Sequence, residues 1–414
     1  MDSDFLCGVN CVARTRNLTF RYSLQQMAYW AVCAGPVSFA ATYLLDKGFH
    51  ASQVGIVLAC SNFFSCLLQP VLANFADRAK RPVLPGLLTG LAALSFCCFA
   101  AILLFAPPPP IFAVLYLAGV LSFDVMIPLL NSTSIYYSLR KYPINYGIGR
   151  GIGSLAFSVA SLGIGYIMEL AGSDWMPRIE LGLLALFILI TLGYPKVDGV
   201  IPETAGKEAQ KQESCSLIRF FSRYKWYNLS LLGVLFLAMF HAMTENYLIE
   251  IVRRLGGDSG SVGIALFVAT VVEVPVLFCF DRIQSRISCS TILKISGLMF
   301  ILKAVLFLAV GSVFGIYLIE VLQVVTYALL SPVQMYYARE RVEPADMVKG
   351  QSMITASYAL GCALGNLIGG QLIGYFSVVT MLIAGIVMAV LGTLTLFLTL
   401  GRRDRLLCAN QAEQ

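Results

Sequence analysis

The chain has 414 residues, 58% of them hydrophobic and 13% charged, with a net charge of +6 and a mean hydropathy of +0.78. A soluble domain is about a quarter charged, so this composition excludes a water-soluble enzyme, with or without one or two membrane anchors. About 240 apolar residues, at about 20 per crossing, allow about twelve membrane spans.

The first 20 residues carry Asp2, Asp4, Arg14 and Arg16. They lack the basic-then-apolar pattern of a cleavable signal, so the first span is expected to act as its own insertion signal. Apolar runs then predict helices over 21–46, 52–76, 82–106, 110–138, 145–171 and 175–195. A second set follows over 226–253, 259–281, 288–310, 312–338, 348–375 and 377–400. The runs are continuous rather than alternating, which excludes a transmembrane β-barrel. The expected domains are a six-helix bundle over 1–195, a cytosolic linker over 196–225, a second six-helix bundle over 226–400 and a cytosolic tail over 401–414. The fold class is therefore all-α integral membrane, with twelve transmembrane helices in two halves.

Charge sets the expected orientation. With both termini inside, only Lys47, Arg178, Arg253 and Arg254 fall outside, and Arg150, Lys294 and Lys303 are embedded or interfacial. The remaining 22 of the 29 Lys and Arg lie in cytosolic segments, a strong positive-inside bias. The basic residues are scattered over short loops, which argues against nucleic-acid binding. Most of the 12 cysteines sit in apolar runs, as Cys60, Cys66, Cys97 and Cys98 do, where a thiol acts as a small hydrophobe. Cys7 and Cys11 lack a second ligand pair, so neither a metal nor another cofactor is expected.

The two halves share landmarks. Val54-Gly55-Ile56 and Asp77-Arg78 frame the second run; Val262-Gly263-Ile264 and Asp281-Arg282 frame the eighth. Two halves repeated in one orientation are the plan of the major facilitator transporters. Further residues carry that resemblance. Gln69-Pro70-Val71-Leu72 followed by Asp77-Arg78-Ala79-Lys80-Arg81 resembles the end of helix two and its basic loop in that superfamily, without the usual loop glycine. Asn145 to Ser154, Glu273-Val274-Pro275-Val276 and the glycine-rich stretch Gly361–Gly374 are similar to the lactose permease and nucleoside–proton symporter branch. The resemblance covers nearly the whole chain. It implies alternating access, a small-molecule substrate bound near midplane, coupling to protons and a place in the cell membrane. It also implies gate contacts by Asp77, Arg78 and Arg81, which as plain sequence read equally well as topology-setting charge.

The chain departs from the branch at several positions. Ser132 stands where lactose permease has a helix-four acid, Gln323 and Thr326 where it has a histidine and a glutamate, and Lys303 where it has an arginine. These departures point away from lactose and require a different proton relay.

An ionisable group in a span costs about 2.5–3.5 kcal/mol on insertion scales, so the embedded ones are the candidates: Asp124, Arg150, Glu245, Glu273, Lys303 and Glu320. At about 1.5 Å per residue, Asp124 and Glu273 lie roughly 20 Å down their helices, near midplane. Both are candidate proton-coupling residues, Glu273 the preferred one. Asp124 reads equally well as a structural residue at a bend before Pro128. Lys303 and Glu320 come out at similar depths on consecutive helices and are expected to form an ion pair.

Polar stripes supply the expected substrate contacts. Glu320, Gln323, Tyr327, Ser331 and Gln334 fall on one helical face. Ser352, Thr355, Cys362 and Asn366 share another, His241 and Glu245 are four apart, and Gln25 and Tyr29 share a face with Gln26 beside them. The substrate-binding candidates are Arg150, Glu273, Gln323, Tyr327, Asn366, Gln25, His241 and Glu245. Arg150 offers five donors in a fixed fork to hydroxyls or a carboxylate, but a snorkelling role at the interface fits the sequence as well. His241 reads either as a proton carrier or as a packed neutral imidazole. Trp30, Trp175 and Trp226 read as interfacial anchors.

Proton-driven symport of a small polar solute, sugar or nucleoside-like, is the first functional expectation, carried out by a monomer. Proton-coupled efflux of lipophilic drugs is the alternative. A non-transporting sensor or scaffold is the rival from another class, and it would need a larger soluble part than the longest polar stretch here provides. No ATPase loop and no catalytic constellation is present in the sequence, which has two histidines, His50 and His241.

Overall fold

A computed structural model describes residues 3–78, 84–138, 144–194, 217–343 and 346–401. All regular structure among the described residues is helical. Eleven helices are long and apolar enough to cross a membrane, and a bent pair, Leu18–Ser38 with Ala40–Asp46, makes twelve. Long apolar helices satisfy every backbone group internally, the condition for crossing lipid.

The helices are α1 (Ser3–Cys33), α2 (Ala40–Asp46), α3 (Ala51–Arg78), α4 (Leu84–Phe105), α5 (Pro109–Asp124), α6 (Met126–Ser138), α7 (Tyr146–Ala171) and α8 (Trp175–Leu192). They continue with α9 (Leu217–Arg223), α10 (Lys225–Asn246), α11 (Leu248–Arg254), α12 (Ser259–Gln284), α13 (Cys289–Ala309), α14 (Val313–Glu320), α15 (Tyr327–Arg341), α16 (Met347–Tyr375) and α17 (Val378–Thr399). Among the described residues, five of the helices carry a side-chain cap at the N-terminus. Asn145, Asp258, Ser288, Ser312 and Ser377 each accept a hydrogen bond from a backbone N–H three residues on.

The chain divides into two compact units. One comprises Met1–Tyr43 and Phe64–Ala205, the other Leu44–Phe63 and Gly206–Gln414. In the first, α1 packs on α7 and α8, and α4 on α5 and α8. The glycines of α7 allow this approach: a Cβ on Gly149 would meet the Tyr22 ring, and one on Gly153 the Trp30 ring. In the second, α10 packs on α16 and α17, and α13 on α15 and α17. Gly361 and Gly365 of α16 face the carbonyls of Leu235 and Met239 on α10, where a methyl group would collide. Gly55 and Gly370 also meet closely, bringing the start of α3 against α16.

Four of the expected continuous spans are interrupted, two of them beside a proline. Span one turns into a π-helix over Ala34–Ser38 around Pro36 and bends by 47° before α2. Span four breaks at Val125, between α5 and α6. Pro128 has no N–H to give the Asp124 carbonyl, and Gln69 Nε2 on α3 takes that role at 3.2 Å. Span ten passes through a 3-10 turn over Val321–Val324 before restarting at Tyr327, and the Thr326 carbonyl accepts from Ser296 Oγ at 2.9 Å. Span seven breaks at Tyr247, where Asn246 and Tyr247 are both drawn sideways onto α16.

Candidate functional site

The break in span ten positions the principal cluster of the second unit. α14 ends at Glu320, and the 3-10 turn carries Gln323. Both side chains reach Lys303 on α13. The ammonium Nζ lies 2.8 Å from Glu320 Oε2 and donates to Gln323 Oε1 at 2.7 Å. Glu245 Oε1 on α10 stands 3.6 Å from the same nitrogen. Lys303 is completely buried and Glu320 2% exposed, whereas Glu245 is 19% exposed. Glu273 on α12 is half-buried and within electrostatic reach of Lys303. One ammonium therefore counters only one of three carboxyl groups, and the cluster has negative charge left over for protons to balance.

Aromatic groups flank the charges. The His241 ring stacks on Tyr327, centroids 4.6 Å apart and 7° from parallel, and His241 Nδ1 is 3.9 Å from Glu245 Oε1. Tyr358 on α16 lies 6.1 Å from Tyr327, ring to ring, and bonds to Tyr327 and Cys362. Further along α16, Asn366 Oδ1 accepts from Asn246 Nδ2 at 2.7 Å, and the Asn366 carbonyl accepts from the Tyr247 hydroxyl at 2.8 Å. The buried Asn366 Nδ2 has no partner.

The structure thus brings together His241, Glu245, Lys303, Glu320, Gln323 and Tyr327, with Glu273 near them. The stripe expected on one face of span ten is interrupted: Glu320, Gln323 and Gln334 are buried, Tyr327 is half-buried and Ser331 is exposed. The 3-10 turn winds more tightly than an α-helix, so a spacing of 3.6 residues does not carry through it.

The remaining candidates belong to the first unit. Gln25 is buried and donates to Thr191 Oγ1 on α8 at 3.0 Å. Arg150 sits over the Trp30 ring, 4.0 Å from its centroid, and donates to Ser154 Oγ at 2.7 Å. Trp30 in turn donates to Gln26 Oε1 at 3.0 Å. It holds Arg150 rather than acting as a simple interfacial anchor. Trp175 and Trp226 are flanked by Arg178 and Lys225, at 5.3 and 5.9 Å. Asp124 is the last residue of α5, at the bend before Pro128. Of the expected gate, Asp77 and Arg78 end the backbone of α3, while their side chains and Arg81 lie outside the described residues.

Several residues in these networks were not candidates from sequence: Asn131, Asn246, Tyr247 and Tyr358. Asn131 accepts from Gln26 Nε2 at 3.5 Å. Asn246 directly follows Glu245, and its short polar side chain in an apolar run was the available signal. The eight described cysteines are all free, and no group of metal-ligating side chains occurs among the described residues.

Comparison with known proteins agrees with this architecture. Residues 19–384 match the model of the MFS_1 like family. The maltose permease of Geobacillus stearothermophilus is 25% identical over 373 residues, covering 88% of this chain and 90% of that one. A mutant form of the nucleoside transporter NupG superposes with a TM-score of 0.78 at 16% identity, covering 93% of this chain and 99% of that chain. A bacterial homologue of the human lysosomal transporter Spinster, inward-facing and unoccupied, gives 0.62 at 15% identity over 94% and 96% of the two chains. These are transporters rather than enzymes, and a family match across most of the sequence joined to a helical, multi-span fold places the chain among them: it belongs to the MFS_1 like family of major facilitator transporters, multi-pass membrane proteins that carry small molecules.

Proposed function

We propose that the protein is a proton-coupled symporter of a small polar solute, a sugar or a nucleoside, working by alternating access in the cell membrane as a monomer with both termini cytosolic. The observation that carries this reading is the buried Lys303, faced by Glu245, Glu320 and Glu273. Three carboxyl groups around one ammonium leave room for a proton, and a buried acid can give and take one without leaving its partner. Glu273, half-buried on α12, is the member that exchanges the proton. Asp124 is the second coupling candidate, in the first unit.

The substrate class rests on the same residues. Sugar rings and nucleobases present flat faces, which suit the stacked His241 and Tyr327. Hydroxyl groups suit Glu245, Gln323 and Asn366, whose Nδ2 has no partner within the protein. In the first unit the candidate substrate contacts are Arg150, with its fork of donors, and Gln25, which donates to Thr191 Oγ1. The maltose permease relative supports a sugar; the likeness to NupG is one of fold.

The test is a thermal-shift screen of the purified protein with maltose, other disaccharides, nucleosides and lipophilic cations, followed by counterflow in liposomes. A polar solute should raise the unfolding temperature and exchange across the membrane, and Tyr327→Ala should abolish both. Stabilisation by lipophilic cations alone would favour the efflux reading, and no exchange of any solute would favour a sensor.

A further inference from the structure

Glu180 lies six residues into α8, shallow enough in sequence to read as an interfacial acid. In the fold it is 0% exposed, and neither carboxyl oxygen has a hydrogen-bond partner. Carbon closes one side of it. At Gly35 of the π-helical segment, a Cβ would stand 3.1 Å from Glu180 Oε2, and Ile164 of α7 and Met176 of α8 close on the same point. The titratable groups within electrostatic reach of it are Cys33 on α1 and Tyr116 on α5. The packed helix α4 carries no charged residue, and Tyr166 and Glu169 of α7 are exposed away from it.

A structural acid in a protein interior finds a donor; this one has none. It also sits against a π-helical interruption, a feature that recurs at functional sites. The Tyr116 hydroxyl reaches the residue next to Gly35 and is committed to the Pro36 carbonyl at 2.7 Å. That bond holds the bend of helix one in place. An ionised carboxylate needs donors or water, and both become available only if the Tyr116–Pro36 bond breaks and the segment opens.

We infer that Glu180 is a proton-binding site of the first unit, loaded while Tyr116 holds Pro36 and unloaded when that bond breaks and the Ala34–Ser38 segment opens. A lone carboxyl group admits a proton and falls far short of the shell of oxygen ligands that a metal cation needs. The inference does not rest on the proton reading of the Lys303 cluster, and a solute carried without proton coupling there would leave it standing.

The experiment is infrared difference spectroscopy of the full chain in liposomes, titrated from about pH 5 to about pH 9, with amide hydrogen exchange over residues 34–46 on the same samples. The expected result is a protonated-carboxyl band that vanishes reversibly as pH rises and is missing in Glu180→Gln. Exchange in the segment should rise with the same midpoint, beyond the base-catalysed increase seen in Glu180→Gln. If that variant does not reconstitute, Met176→Ala carries the assignment: opening the apolar wall to water should make the band vanish at lower pH. A band that persists throughout in folded protein, a spectrum unchanged in Glu180→Gln, a midpoint unmoved in Met176→Ala, or exchange that ignores the titration overturns the proposal.

Discussion

Lys303 has no exposed surface and holds its charge between Glu320, Gln323 and Glu245. Removing one partner of a buried ion pair strands the other charge. Lys303→Met should therefore destabilise the protein by about 3–5 kcal/mol, read as a fall in unfolding temperature. The double variant Lys303→Met with Glu320→Gln should recover part of the loss. An additive double variant would contradict the pairing. Outside the spans, Asp258 caps α12 through Ser261 N–H and Oγ at 2.7 and 2.8 Å. The Ser261 N–H bond, the larger cause, holds its carboxyl below the usual value. Asp258→Ala should cost about 1 kcal/mol. Because the folded-state pKa is depressed, the difference from wild type should be full above about pH 4 and fade as pH falls through the lowered value. A difference that grows on acidification would contradict this sign. At this scale the contact of Lys303 with Glu320 was legible, since depth along two consecutive helices is simple arithmetic. Glu180 was not. Its depth is ordinary, and what buries it includes the π-helical turn of a helix nearly 150 residues away in sequence.

Elements follow from hydropathy, but their interruptions do not. Apolar content places α10 or α14 within a span and says nothing about whether its hydrogen-bond ladder continues. Pro36 and Pro128 were visible, yet the outcome depends on which neighbour bonds the backbone at the bend: Tyr116 the Pro36 carbonyl, Gln69 the Asp124 carbonyl. The break after Asn246 had no proline to announce it. Glycine spacing was the better guide. Gly361 and Gly365, four apart, face backbone carbonyls of α10, where flexible side chains cannot yield. Gly365→Val should force α10 and α16 apart and cost about 1–3 kcal/mol, measured by thermal unfolding in detergent. Gly163→Val, where nothing lies within 4 Å, should be close to neutral. Equal effects at the two positions would contradict the packing account.

For the whole molecule, composition and charge were the informative properties. Few charged residues exist, and the majority of the basic ones fall in segments assigned to the cytosolic side. If that bias sets orientation, a reporter fused after Gln414 should be active in the cytosol and silent outside. External activity would reverse the topology. The multi-span helical fold and the family were legible from apolar runs and from landmarks such as Val54-Gly55-Ile56 and Val262-Gly263-Ile264. The solute was not, because cargo is set by side chains that converge through folding, such as His241 with Tyr327 and Asn246 with Asn366. The central claim is that a carboxyl group beside Lys303 carries a proton together with the solute. Its most direct test is the accumulation of labelled solute in liposomes with an acidic exterior, with and without an ionophore, for wild type and Glu273→Gln. The account predicts accumulation above equilibrium only in wild type with the gradient intact, and simple equilibration in Glu273→Gln. Equal uptake with and without the gradient, or undiminished accumulation in Glu273→Gln, would contradict it.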